Sequence, residues 1–577
     1  MEKQKKDVDR FQNLFFLLKI FNLPSFRLFS IFLLFIIIIS SLMPLLSIEL
    51  TKRLLNAIQL GKEIETILSI LFFMIAMQTI QKLINTINNY LTGLFQLRLN
   101  NYVTELIMKK ISMLKFEELF SSVVIDKLYF LRTTSTMKIG SIFSSSISMF
   151  SNIITFISIF IYLFNWIPLY AILVAICSIP VGIVQLYFNN KNFILSKNIN
   201  KFHREQFYLL FISTTPESLK EITQYSSMSY IVESYQKIFK KIYNPTKSLS
   251  LKVTIATMIT SLLGVLAIGY SQYKTILLVF EGQILIGTLM SILQSLGIVF
   301  QRMQGLIMTF GGFHNDWLYV NNLRDFLSIE SSKNDSRLTN PVESSVSITA
   351  KNLTYCVDGV TIFENLNFHF SAGSIIGIMG ENGTGKSTLL DIIQGLKKQT
   401  SGELYFNDML TTDILDTQRV KLCQTLLQNP VRYELSLSEN VGIADSEKYR
   451  TYGSDILEYI YHIDKESFVF DNNIKKETLL GNWYDESHPL SGGQWQRLAL
   501  YRLLYRNTPI YLIDEPTNNL DENALYLLED FIKSLSKENL VIIISHNTNF
   551  LSKNCSQIYT MSKQKMSLQE KKISINV

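Results

Sequence analysis

Residues 380–388 constrain the fold of this chain more than any other stretch, because they join an apolar run to a helical one. Their G-x-x-x-x-G-K-S/T spacing is typical of a phosphate-binding loop between a strand and a helix. The glycines let successive backbone N–H groups point inward, and the start of the helix adds partial positive charge. The predicted phosphate contacts are Gly380, Glu381, Asn382, Gly383, Thr384, Gly385, Lys386, Ser387 and Thr388.

Two side chains of this loop are matched by two acids further along the chain. Lys386 is expected to reach the β- and γ-phosphates of a nucleotide, and the Ser387 hydroxyl to ligate Mg²⁺. The apolar run 509–513 ends in Asp514 and Glu515. Asp514 is placed to bind the same Mg²⁺, and Glu515 could polarise an attacking water as a general base.

A second glycine-rich stretch, 490–494, precedes a predicted helix that begins near Trp495. A hydroxyl and two glycines at the N-terminus of a helix form another phosphate-binding device. It is unusual for one chain to hold both devices. The predicted contacts of the second are Ser491, Gly492, Gly493 and Gln494.

Long apolar segments in the first half of the chain predict membrane-spanning helices. Hydrophobic residues make up 47% of the chain and charged residues 18%, as expected when a membrane half is joined to a soluble half. The junction 165–168 is so short that the spans on either side of it must form an antiparallel hairpin. The six predicted spans are 28–48, 64–82, 142–168, 169–188, 253–280 and 284–310.

Lysine and arginine are concentrated in two long helical excursions between these spans, at 81–131 and 189–252. The positive-inside rule therefore places the N-terminus, both excursions and everything after the sixth span in the cytosol. Lys52, Arg53 and Lys62 oppose this orientation but are outnumbered. The net charge of +6 follows from this topology, so we expect a multi-pass protein of the cytoplasmic membrane and no nucleic-acid partner.

The predicted fold class is an α-helical membrane domain, residues 1–330, followed by an α/β domain that carries the phosphate loop. Residues 331–345 have the composition of a linker, and strand-like and helical runs alternate in 346–577 as a mostly parallel sheet requires. The four cysteines are far apart and lack metal-ligand spacing, which is typical of a reduced, cytosol-facing protein.

The phosphate loop, the 490–494 stretch, the acid pair and the later His546 together resemble the ATP-binding-cassette (ABC) family. This resemblance implies ATP and Mg²⁺ as cofactors and an ATP hydrolase coupled to transport. His546 would contact the γ-phosphate, and Gln428 would link the metal to the membrane domain. The implied catalytic residues are Lys386, Gln428, Glu515 and His546, and the implied metal ligands are Ser387, Gln428 and Asp514.

Two further positions follow from the resemblance. Asp521 matches a loop, here 518–521, that communicates between the two nucleotide sites of the family. The family usually stacks adenine on an aromatic ring near the position of Val357, and a valine cannot provide this contact. Tyr355 shares the same strand face and is expected to substitute for it.

Six spans followed by one cassette resemble an exporter-type half-transporter that works as a homodimer, with residues 491–494 of one chain facing the phosphate loop of the other. Residues 432–435, 480–483 and 492–496 resemble the exporters of lantibiotics. The implied activity is ATP-driven export of a ribosomally made, modified peptide. The implied partners are that peptide precursor, the modifying dehydratase and cyclase, and membrane lipid.

The precursor is expected to leave with its leader attached, because the segment before the first span contains no cysteine for a leader peptidase. Two alternatives remain open at this stage. One is a lipid or multidrug exporter of the same architecture. The other is an ABC ATPase with a mechanical or regulatory role, which the fused spans argue against.

Overall fold

The computed structural model describes most of the chain, in two compact units. One unit takes in the described residues up to 112 and from 122 to 329, and the other those from 113 to 121 and beyond 330. The linker predicted at 331–345 lies outside the described residues. These are 24–114, 116–119, 121, 124–125, 127–128, 131, 137–329, 346–357, 359–414, 416–452, 456–463, 474–517, 522–562 and 564–569.

Long helices build the first unit. Five helices of the described chain are long and apolar enough to cross a membrane, within 26–59, 64–111, 139–166, 168–214 and 228–280. The predicted sixth span falls in a further helix that is not among these five, so the count of six stays a prediction. The helices are α1 Pro24–Gln59, α2 Ile64–Ile111, α4 Met137–Trp166, α5 Pro168–Thr214, α6 Pro216–Gln224, α7 Met228–Phe280 and α8 Ile286–Leu327, while the short α3 Phe116–Leu119 belongs to the second unit.

A single residue separates α4 from α5, as the predicted hairpin requires. Pro168 stands in the first turn of α5, where its fixed φ favours a helix and its missing N–H costs nothing. Near the end of α1, Glu49 lies 3.2 Å from Lys52 and 3.1 Å from Arg53. The Lys52 ammonium also lies 4.9 Å from the ring of Trp166. Two of the three basic residues that oppose the predicted orientation, Lys52 and Arg53, are therefore balanced locally by one carboxylate.

Polar side chains join α4 to α8 at two levels. The Tyr162 hydroxyl donates to Ser291 Oγ over 2.9 Å, and Arg302 Nη1 donates to Asn152 Oδ1 over 2.9 Å. Interhelical hydrogen bonds of this kind hold helices together where apolar burial gives no driving force.

Two sheets and a set of helices form the second unit. The antiparallel sheet has the order β2-β1-β4-β5, and the larger sheet has the order β10-β9-β3-β8-β7-β6. The strands are β1 Ile348–Val357, β2 Val360–Phe370, β3 Ile375–Gly380, β4 Ser401–Phe406, β5 Met409–Leu410, β6 Cys423–Leu426, β7 Ile510–Asp514, β8 Leu540–Ile544, β9 Gln557–Ser562 and β10 Lys565–Gln569. The helices are α9 Lys386–Gln394, α10 Asp416–Leu422, α11 Leu437–Gly442, α12 Ser446–Tyr452, α13 Ile456–Ile463, α14 Gly492–Tyr505, α15 Glu522–Leu535 and α16 Thr548–Asn554.

The larger sheet is parallel from β9 to β6 and is covered on both faces, so its central strands are apolar along their whole length. Ile544 at the end of β8 pairs with Ile378 of β3 on one side and with Asp514 of β7 on the other. The loops after these three strands therefore leave the sheet at one edge. Ligands of open parallel sheets bind at the carboxyl ends of the strands.

A third apolar core, separate from the two that cover the sheet, joins α11, α13 and α14. Trp495 and Leu498 of α14 pack there with Leu437 of α11 and Ile460 of α13. This core fixes the helix whose first residues follow Ser491.

Candidate functional site

The phosphate loop connects β3 to α9 as its spacing predicts. Gly383 has a φ of +82° and Gly385 a φ of +91°, in the left-handed region that favours glycine. A Cβ on Gly385 would also lie 2.6 Å from Ile362 and 3.0 Å from Phe363. Both the backbone conformation and the close packing therefore require glycine at 385.

Lys386 is buried at the start of α9, with a side chain that turns back into the loop. Its Nζ donates to the carbonyls of Gly380 and Glu381, each over 2.8 Å. Burial lowers the pKa of Lys386, and the nearby carboxylates of Glu515 and Asp514 oppose that shift. The ammonium group thus lies inside the curl of the loop, close to the acids that end β7.

Ser387 and Asp514 meet as predicted, with the hydroxyl donating to Asp514 Oδ2 over 2.9 Å. Burial raises the pKa of Asp514, and the hydrogen bond from Ser387 and the charge of Lys386 partly offset it. A hydroxyl and a carboxylate are the hard oxygen ligands that Mg²⁺ prefers. Ser387 and Asp514 lie within hydrogen-bond distance of each other, so their oxygens fit a magnesium site.

Glu515 and His546 form a contact at the same edge of the sheet. His546 Nε2 lies 3.2 Å from Glu515 Oε1, and the backbone N–H of His546 donates to Oε2 over 3.3 Å. Glu515 has a φ of +50° and is almost wholly buried. Oε1 accepts no hydrogen bond of standard geometry from the described residues, which leaves a buried acceptor oxygen facing the site.

A cavity of about 10 Å³ lies beside these acids, roughly the space that one water molecule needs. The cavity is lined by Gln428, Asp514 and Glu515. Gln428 therefore lies next to the two acids at the end of β7. Gln496 of α14, which is not among the predicted site residues, lines the cavity as well. The position of Gln496, five residues after Ser491, gives no sign that its side chain reaches β7.

Ser491 caps the N-terminus of α14 in a reciprocal arrangement with Gln494. Gln494 N donates to Ser491 Oγ over 3.3 Å, and Ser491 N donates to Gln494 Oε1 over 2.8 Å. This segment lies at the start of α14, whereas the phosphate loop lies between β3 and α9. The two phosphate-binding devices therefore belong to different elements of the chain.

The adenine contact and the communicating loop remain predictions. The Tyr355 ring is half-buried, and its centroid lies 6.1 Å from that of Phe363, in the strand pair beside Gly385. Val357 is 41% exposed at the end of β1. Asp521 lies outside the described residues.

Comparisons with known proteins agree with this geometry. Residues 363–518 match the family model of the ABC transporter. A solved bacterial Atm1-family ABC exporter with ATP bound has the same fold, with a TM-score of 0.75 over 94% of both chains at 14% identity. The chain carries an ABC transporter domain fused to an exporter-type membrane domain. The predicted fold class and the prediction of an ATP-hydrolysing transport protein of the membrane are thereby confirmed.

Two transport proteins resemble this chain over most of its length. The chain is 28% identical over 560 residues to the nisin transport ATP-binding protein NisT of Lactococcus lactis subsp. lactis, covering 94% of this chain and 92% of NisT. It is 27% identical over 521 residues to the subtilin transport ATP-binding protein SpaT of Bacillus subtilis, covering 88% of this chain and 83% of SpaT.

Proposed function

We propose that this chain exports a ribosomally made, modified peptide across the cytoplasmic membrane and uses ATP hydrolysis to do so. The observation that carries the proposal is the similarity to NisT, which runs through both the membrane helices and the ABC domain. The similarity to SpaT supports the same substrate class. The leader is proposed to stay attached during export, and the N-terminus and the ABC domain are proposed to lie in the cytosol.

The residues at the edge of the sheet have distinct proposed roles. The backbone N–H groups of the phosphate loop bind the phosphates, and the Lys386 ammonium neutralises their charge. Ser387 and Asp514 would hold Mg²⁺, with Gln428 beside them, and the metal when bound offsets charge on the phosphates. Glu515 accepts a proton from the attacking water, since its buried Oε1 accepts no hydrogen bond of standard geometry from the described residues. His546 holds that carboxylate and contacts the γ-phosphate.

The working unit is proposed to be a homodimer. Ser491 to Gln494 lie at the start of α14, whereas the phosphate loop lies between β3 and α9. Trp495 of α14 packs in a core separate from the one that holds Leu389 of α9. A second copy placed head to tail would bring this segment to the opposite nucleotide. ATP binding would then close the paired domains, and hydrolysis would let them separate and reset the membrane helices.

An export experiment in cells tests the proposal. The transporter is expressed with a lantibiotic precursor and its dehydratase and cyclase, in a host that lacks the leader protease. Full-length modified precursor in the medium, absent when Lys386→Ala replaces the wild type, supports both the substrate and the attached leader. Mature peptide outside the cells, with cleavage by the purified transporter, contradicts the leader part alone. Retention of all precursor inside the cells contradicts peptide export.

A further inference from the structure

A single carboxylate holds the loop that precedes the helix start at Ser491. The backbone N–H groups of Asn482 and Trp483 both donate to Oε2 of Glu434, each over 2.7 Å. Bonds from N–H groups to a charged acceptor are stronger than neutral ones. No cation forms an ion pair with Glu434 in the part of the chain that the structure describes, so these amides are its partners.

The backbone around Glu434 is itself firmly held. The Asn440 side chain, fully buried, donates to the carbonyl of Tyr433, and the guanidinium of Arg502 lies 5.1 Å from the Tyr433 ring. On the other side, the carbonyl of Leu435 accepts a hydrogen bond from Leu480 N over 3.0 Å. The Glu434 carboxylate therefore extends from a well-held backbone. A shift of that backbone would move the loop that is hydrogen-bonded to the carboxylate.

The loop 481–488 is closed by hydrogen bonds between its two ends and leads directly into α14. Gly481 N donates to the carbonyl of His488 over 2.9 Å, and His488 N donates to the carbonyl of Leu479 over 2.8 Å. The Ser487 hydroxyl also donates to the carbonyl of Gly481 over 2.9 Å. Two residues separate His488 from Ser491, so the placement of 481–488 sets where the helix begins.

Gly481 shows how closely the carboxylate and the loop are fitted. Its φ of +102° suits glycine, and a Cβ at this position would collide with the carboxylate of Glu434. Trp483 is 82% exposed, although its backbone N–H donates to Glu434. Its indole thus reports the mobility of the loop without contributing to a core.

We propose that Glu434 is a positioning residue that keeps the loop 481–488, and through it the helix start at Ser491, in register with the segment that follows Gln428. Five residues separate Gln428, which lines the cavity beside Glu515, from Glu434. A displacement of that segment moves the carboxylate, and the carboxylate moves the loop. The inference holds for any exported solute, while its effect on turnover rests on the proposed role of Ser491 to Gln494.

The test uses the full-length transporter reconstituted in lipid nanodiscs. Glu434→Gln keeps the shape of the side chain and removes its charge, and Glu434→Ala removes both hydrogen bonds. We expect turnover of ATP to fall about tenfold in Glu434→Ala and less in Glu434→Gln, with ATP affinity within about twofold of wild type. Fluorescence anisotropy of Trp483, isolated by subtracting the matching Trp483→Phe spectrum, is expected to fall in both.

Two control variants separate this role from general damage. Glu486→Gln removes a charge from the same loop. The side chain of Glu486 forms no hydrogen bond among the described residues, so this variant should leave turnover and anisotropy unchanged. Gly481→Ala should reproduce the loss, whereas Gly373→Ala, with a φ of +80° and a nearest neighbour at 3.7 Å, tests backbone strain without that collision.

Three results would overturn the proposal. The first is a Glu434→Ala protein with wild-type anisotropy at Trp483, because the loop would then be held by other contacts. The second is reduced anisotropy with unchanged turnover, because the loop would then not set the position of the helix start. The third is equal damage from Gly481→Ala and Gly373→Ala. If Glu434→Ala fails to fold, the first two tests are made on Glu434→Gln, which keeps the side-chain shape.

Discussion

Replacing Glu515 by glutamine should remove the chemistry of ATP hydrolysis while leaving the site intact. The amide keeps an oxygen that can accept the N–H of His546, which now donates to Oε2 over 3.3 Å. The buried Oε1, which accepts no standard hydrogen bond from the described residues, would lose its basic character. The substitution also removes a negative charge from a nearly buried position, so it should not destabilise the fold.

The size of the effect follows from the role. A positioned general base contributes roughly 10²- to 10⁴-fold in rate. At about 1.36 kcal/mol for each factor of ten, this corresponds to about 3 to 5.5 kcal/mol of transition-state free energy. We expect kcat of Glu515→Gln to fall by at least about a hundredfold. The affinity for ATP should be retained, because Lys386 and the loop amides are untouched.

The assay measures phosphate release at saturating ATP and nucleotide binding in the same preparation. Glu529→Gln is the matched control. Its carboxylate is also buried, lies in the same unit, and contacts Lys553 over 2.6 Å, away from the cavity beside Glu515. It should lower thermal stability without a hundredfold loss of kcat. Turnover of Glu515→Gln within about threefold of wild type would refute the general-base role.

Three other perturbations have expected outcomes of their own. Gly385→Ala should abolish nucleotide binding, because backbone strain and a steric collision act together. Gly383→Ala should only weaken binding, because its Cβ would meet nothing within 4 Å. Equal losses of equilibrium binding in the two variants would contradict this. Burial raises the pKa of the Cys423 thiol to about 12, so at pH 8 about one molecule in ten thousand is a thiolate, and mass spectrometry after alkylation should find Cys356 labelled first. Prior labelling of Cys423 would argue against the buried β6. Val357→Tyr should tighten ATP binding if no ring stacks on adenine there, and unchanged affinity would show that adenine is held elsewhere.

Much of the site could be predicted because its residues stand at fixed distances from strand ends. The phosphate loop had to follow β3, and the acid pair had to end β7, so their meeting at one edge followed from a parallel sheet. The contact of Ser387 with Asp514 is of this kind. The same reasoning predicted the hairpin at α4 and α5, where a single residue cannot accommodate any other connection.

Other features could not be predicted because they depend on how separate segments pack. The Glu434 carboxylate accepts hydrogen bonds from backbone amides near Trp483, about 50 positions further along the chain. Backbone amides carry no sequence signal. Gln496 reaches the cavity only because the core of α11, α13 and α14 orients its helix.

ATP-dependent uptake of a purified, modified lantibiotic precursor into inside-out proteoliposomes tests the central claim most directly. We expect the leader-bearing precursor to accumulate in the lumen with wild-type transporter and ATP, and to stay outside with Glu515→Gln. Precursor-stimulated ATP hydrolysis without uptake would contradict transport and favour a regulatory ATPase. Uptake of labelled lipid or drug, with none of the peptide, would contradict the peptide as substrate.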